Sequence, residues 1–141
     1  MVHALQDVHR VLVDGGYMID LRPVGVEYAL EVVTDEHVIP VGDADAAGRA
    51  ARDEGANQAA EKIQTMGLFN QEAHMAFNLY TYWPTPSDYK QYLDERQGST
   101  CLHDDVLAHA LDVFKHAGPD ARFRACHSMI ISRYRKVSRT D

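Results

Sequence analysis

The sequence predicts an α+β fold, and three patterns carry that prediction. Near the N-terminus an amphipathic helix runs through a Gly-Gly turn into an apolar strand, and two later stretches, about residues 69–80 and 121–136, alternate apolar with polar side chains. Two helical segments with their own caps and breakers separate those stretches. The expected architecture is a sheet of three main strands with flanking helices and an added β-hairpin.

Taken in order, Leu5, Val8, Val11 and Leu12 recur at helical spacing. Asp14-Gly15-Gly16 stops that helix with residues that tolerate positive φ, and Tyr17 to Leu21 reads as a strand closed by Pro23. Tyr28 to Thr34 and His37 to Val41 are apolar and β-branched around an Asp35-Glu36 turn, which predicts the hairpin. From Asp43 to Met66 alanine predominates, with Asp43 as N-cap and Gly67 as stop. Ala47, Ala50, Ala51, Ala59, Ile63 and Met66 give this helix a thin apolar stripe. Phe69, Ala73, Met75, Phe77 and Leu79 then fall on odd positions and predict a buried strand face. Asn70, Glu72, His74, Asn78 and Tyr80 make the face free to meet a ligand or partner.

Trp83-Pro84-Thr85-Pro86 breaks the strand, and Thr85 with Asp88 three residues on predicts a capped helix carrying Tyr89, Tyr92 and Leu93 and ended by Gly98. A second helix, about His103 to His116, has acids at its start and Lys115 and His116 at its end, with Val106, Ala110, Leu111 and Phe114 inward. After Gly118-Pro119 the chain alternates Phe123, Ala125, His127, Met129 and Ile131 against Arg124, Cys126, Ser128 and Ser132, which predicts a long last strand to Lys136.

At 141 residues the chain suits a single domain spanning 1–141, long enough to bury a sizeable core. An apolar fraction of 45% with 25% charged residues is that of an ordinary globular protein. No apolar run approaches a membrane span, and no secretion signal stands at the N-terminus, so a cytoplasmic protein is expected. Cys101 and Cys126 are too few and too isolated for a disulfide framework and read as free thiols. The net charge of −7 argues against nucleic-acid and anionic-membrane partners. Arg122, Arg124, Arg133, Arg135, Lys136 and Arg139 cluster near the C-terminus without the aromatic interleaving of a nucleic-acid motif, and read as a solvated strand end.

The run His9-Arg10-Val11-Leu12 followed by Gly15-Gly16 resembles the last helix and fifth strand of class I S-adenosylmethionine-dependent methyltransferases, with Asp14 where that family usually has proline. The order of elements extends the resemblance along nearly the whole chain. It implies that the last two strands are antiparallel, that the final strand lies beside the Tyr17–Leu21 strand, and that the hairpin is an elaboration outside the central sheet. In that family the unit follows four strands and their helices. The glycine-rich loop and ribose-binding acid that hold the cofactor would therefore lie upstream of Met1, and Gly15-Gly16, Gly25 and Gly42 are isolated turn glycines. The resemblance thus implies the C-terminal half of a methyltransferase. Such a half would bind no S-adenosylmethionine and transfer no methyl group by itself. Its edge strand would be completed by a second copy in a homodimer, or by a separate chain supplying the N-terminal half. A stand-alone small-ligand-binding module and a dimerisation domain are the rival readings.

For a substrate or ligand, seven residues are candidates. Asp20 and Arg22 leave one face of the first strand at its C-terminal end, where open α/β sheets bind ligands. His74 and His127 each sit mid-strand and could act as acid, base or polar anchor. Tyr80, Tyr82 and Trp83 close a strand end, either as an aromatic plug or as a pocket wall. Of eight histidines, His103, His109 and His116 lie six and seven apart, whereas ligands on one helix face want three or four, so no metal ligands are assigned. No nucleophile-base set, phosphate loop or catalytic carboxylate pair stands out.

Overall fold

A computed structural model describes residues 1–96 and 98–138, so Arg139 of the basic cluster lies outside the described residues. The chain is α+β. Its elements are α1 (Val2–Val11), β1 (Tyr17–Pro23), β2 (Glu27–Val33), β3 (Val38–Asp45), a short 3-10 turn (Ala47–Arg49), α2 (Ala50–Thr65), β4 (Phe69–Trp83), α3 (Pro86–Arg96), α4 (Asp104–His116) and β5 (Arg122–Lys136). The five strands form one open antiparallel sheet in which β1, β5, β2 and β3 neighbour one another in that order and β4 pairs with β5. Two compact units divide the chain, the first comprising Met1–Val24, Ala51–Phe77 and the described residues from Met129 onward, the second Gly25–Ala50 and Asn78–Ser128.

In the first unit α1 ends at Val11, and Gly15 adopts φ 71 in the turn that leads into β1, so the Gly-Gly turn forms as expected. β1 runs antiparallel to β5 from Tyr17↔Arg135 to Pro23↔Met129. Alternation along both strands puts Met18 and Tyr134 on one face, where they meet Leu5, Val8 and Leu12 of the α1 segment and Ala60 and Ile63 of α2, together with Leu68 and Phe69. Val11 and Met66 lie outside this cluster and are exposed. Gly67 closes α2 in the left-handed region, with the Leu68 N–H bonded to the Ile63 carbonyl and the Gly67 N–H to the Gln64 carbonyl. This is the paired-bond stop that glycine permits.

In the second unit the hairpin β2–β3 is part of the sheet, because β2 pairs with β5 from Ala29↔Cys126 to Val33↔Arg122. That corrects the expected three-strand sheet with a separate hairpin. Tyr28, Leu30 and Val32 all point to one side of β2, and burying them requires the sheet's own neighbours, Phe123 and Ala125 of β5. α3 and α4 pack on this face with Tyr89, Tyr92, Leu93, Val106 and Phe114, whereas Leu111 stays exposed. Gly42 lies so close to α4 that a Cβ there would come within 2.8 Å of the Val106 side chain, and its φ of 131 excludes other residues independently. The Thr85 cap forms as predicted, its hydroxyl accepting the Asp88 N–H at 3.2 Å.

Two further expectations are overturned. Asp43 does not cap a helix: Asp43 to Asp45 extend the ladder opposite Ala29 to Glu27, and the helix begins only at Ala50. Asp45 instead accepts the Ala47 N–H at 2.7 Å, which turns the chain out of the strand. The odd face of β4 is not core along its middle, since Met75 is 57% exposed and Leu79 44%; only Phe69 at one end and Trp83 at the other pack against core clusters. Alternation reports which residues share a face; whether another element covers that face is a separate matter.

Truncating Phe123, wholly buried in the second unit's core, is expected to cost about 3–5 kcal/mol, while Met75→Ala on the open strand should stay within about 0.5 kcal/mol. Urea unfolding monitored by circular dichroism measures both.

Candidate functional site

Among the sequence candidates, Asp20, Arg22 and His74 come together in the first unit. Asp20 and Arg22 project from the same face of β1, and Arg22 Nε donates to Asp20 Oδ2 at 3.0 Å. The remaining guanidinium nitrogens reach α2, donating to Asn57 Oδ1 at 2.7 Å and to the Asp53 carbonyl at 3.4 Å. Opposite Asp20 on β5 stands Ser132, only 2% exposed, whose hydroxyl bonds His74 Nδ1 at 2.9 Å. Arg22, His74 and Ser132 wall a cleft of about 350 Å³, bounded by the polar side of α2 through Glu54, Asn57 and Glu61, while Asp20 holds Arg22 from outside the lining.

The lining of this cleft is mostly polar. Arg22 is held by a carboxylate and two acceptors on α2, so its charge is already answered, while Glu54 and Glu61 leave an acidic, acceptor-rich wall. A small ligand with hydroxyl or ammonium donors fits that lining better than an anion. The Ser132 hydroxyl is engaged by His74 Nδ1, which leaves the ring's Nε2 as the nitrogen available for hydrogen bonding.

Sequence reasoning missed Asn57, Glu61 and Ser132. The only signal was the amide- and acid-rich side of α2 facing away from Ala59 and Ile63, which any solvated helix would also show.

The other candidates belong to the second unit. Tyr80 and Tyr82 are exposed and flank Arg124, whose guanidinium lies 4.3 Å from the Tyr80 ring centre. Arg124 also donates to Glu31 and, at 3.3 Å, to the Tyr82 hydroxyl. Burial lowers the Arg124 pKa, but the hydrogen bonds to Tyr82 and Glu31 outweigh it and raise the pKa overall, so the group stays cationic. Trp83 is half-buried and packs against the core, its ring tilted against those of Tyr92 and Tyr89 with centroids 4.5 and 5.5 Å away, so it parts company with the two tyrosines. Beside it, burial first and then the neighbouring Tyr92 push the Tyr89 hydroxyl up to about 12. His127 packs on the Tyr28 ring at 4.3 Å and bonds the Thr81 hydroxyl at 3.0 Å. It takes no part in the cleft that holds His74.

The described residues of the basic cluster are answered locally. Arg133 and Arg135 both pair with Glu72 and lie over Tyr17, and Lys136 bonds the Leu12 carbonyl at 2.7 Å with Asp14 nearby. Comparisons with protein-family models, with curated proteins and with solved structures find no match to this chain.

Burial, and after it the charge of Arg49, holds His127 below its ordinary pKa of 6.5. The folded chain therefore favours the neutral ring. Its contribution to stability is complete above pH 6.5 and is lost as pH falls through the folded value, because the unfolded chain takes up the proton first. Between about pH 7 and pH 5 the melting temperature of the native chain should fall more steeply than that of His127→Gln. Parallel slopes in differential scanning fluorimetry would remove His127 from the pH response.

Proposed function

We propose that this chain is a methyltransferase-related domain of the C-terminal kind, working with an S-adenosylmethionine-binding half and performing no methyl transfer alone. The observation that carries this reading is the state of β1. It follows the helix and Gly-Gly turn, runs antiparallel to the last strand, and has no strand on its other edge among the described residues. Tyr17, Ile19 and Leu21 are 51–56% exposed on the face away from α1 and α2. An apolar strand with a free edge and a bare face is a seat for another piece of sheet. In the resembled fold that seat belongs to the fourth strand of the cofactor half. In the isolated chain a second copy takes its place and makes a symmetric dimer. A cytoplasmic location is proposed along with this function. No helix among the described residues is long and apolar enough to cross a membrane.

A second reading is favoured by the polar cleft itself: a stand-alone module binding a small donor-rich molecule between Arg22, Asn57 and His74. The two readings part on the cofactor. Calorimetry with purified chain and millimolar S-adenosylmethionine is expected to give no saturable heat. Micromolar one-to-one binding would overturn the first reading, and its loss in Arg22→Ala and His74→Ala would locate the binding in the cleft.

The dimer is tested separately by sedimentation equilibrium at micromolar concentration. The native chain is expected to associate beyond its 15.8 kDa monomer mass, and Ile19→Arg, which puts a charge on the bare face, is expected to sediment as monomer. Native protein that remains at 15.8 kDa without concentration dependence shows that β1 is not paired between copies.

A further inference from the structure

We propose that Asp45, Cys101 and His103 form a binding site for a divalent cation of the zinc class. Sequence spacing hid this group, because Asp45 ends β3 whereas Cys101 and His103 precede α4. The fold joins them through an isolated β-bridge in which the Asp45 N–H donates to the Cys101 carbonyl at 2.9 Å and the Cys101 N–H to the Asp45 carbonyl at 2.8 Å. These reciprocal bonds fix two of the three side-chain origins relative to each other. The third follows from alternation: Leu102 is buried in the core, so its neighbours Cys101 and His103 both turn outward.

The donor atoms converge. One carboxylate oxygen, one thiol sulfur and one ring nitrogen lie within 4.8 Å of one another, with His103 Nε2 3.9 Å from Asp45 Oδ2. Asp45 Oδ1 is occupied by the Ala47 N–H, which holds the carboxylate in place with Oδ2 on the His103 side. In a tetrahedral site with bonds of about 2.0–2.3 Å the ligand atoms stand roughly 3.3–3.8 Å apart, so small side-chain rotations complete the geometry. A thiolate and an imidazole select against magnesium and calcium, which prefer oxygen donors alone. Three protein ligands leave the fourth tetrahedral position to water, and the exposure of Cys101 and His103 leaves the site open to ions from solution.

The test is titration of the reduced 141-residue chain with Co²⁺, followed by displacement with Zn²⁺. A thiolate–cobalt charge-transfer band in the near ultraviolet is expected, saturating at one ion per chain and bleached by zinc. Cys101→Ser should abolish the band, and His103→Ala, which removes a direct ligand, should weaken zinc binding by at least about a hundredfold, the most that loss of an outer-shell partner costs. Both positions are exposed, so both variants should fold, and unchanged circular dichroism checks this. His109→Ala, on the exposed side of α4, should leave the titration as it was. The proposal is overturned if no thiolate band forms, if the band survives Cys101→Ser and so belongs to Cys126, or if His103→Ala binds zinc as tightly as the native chain.

Discussion

The structure depends on the hydrogen-bonding capacity of β5. Over Arg122–Cys126 it satisfies β2, over Met129–Arg135 it satisfies β1, and β4 pairs with it as well. A buried strand must find partners for its N–H and C=O groups, and every strand here except β3 finds them on this one segment. Its alternation then sets what each unit can build. Phe123 and Ala125 are core residues under α3 and α4, Tyr134 is a core residue under α2, and Ser132 lies beside His74 in the cleft.

Charge is arranged on the same scaffold so that few cations are left without a local answer. Arg22, Arg124, Arg133, Arg135 and Lys136 each meet a carboxylate, and the arginines of β5 also lie over tyrosine rings. Exposed pairs of this sort add little to stability, and the better-buried Arg22–Asp20 and Arg124–Glu31 pairs chiefly fix side-chain positions. At Arg22 that fixing has a chemical consequence. The guanidinium joins β1 to α2 across the head of the cleft, and the open wall is left acidic and rich in amides.

Most element boundaries were legible in the residues because local signals decide them. Gly15 and Gly67 adopt the positive φ that their turns demand, Thr85 caps its helix, and the period-two runs of β4 and β5 are strands. The exception at Asp43 is instructive: a residue suited to a helix cap was kept in the ladder by pairing with Ala29, a contact distant in sequence. Of the candidate residues, Asp20 and Arg22 could be placed on one face by parity alone, whereas the partnership of His74 with Ser132 needed the register of β4 on β5.

By itself, then, the sequence determined the α+β class, the turns and caps, and which side chains share a face of each strand, since all of these follow from backbone sterics and short-range periodicity. Only the tertiary structure decided that the hairpin joins the sheet, that Met75 and Leu79 stay uncovered, and that Trp83 packs against the core while Tyr80 and Tyr82 do not. It alone brought Asn57 to Arg22, and Asp45 to Cys101 and His103. Those outcomes rest on pairings between residues far apart in the chain, and the energy of such a pairing depends on both partners and on their register, which no local pattern encodes.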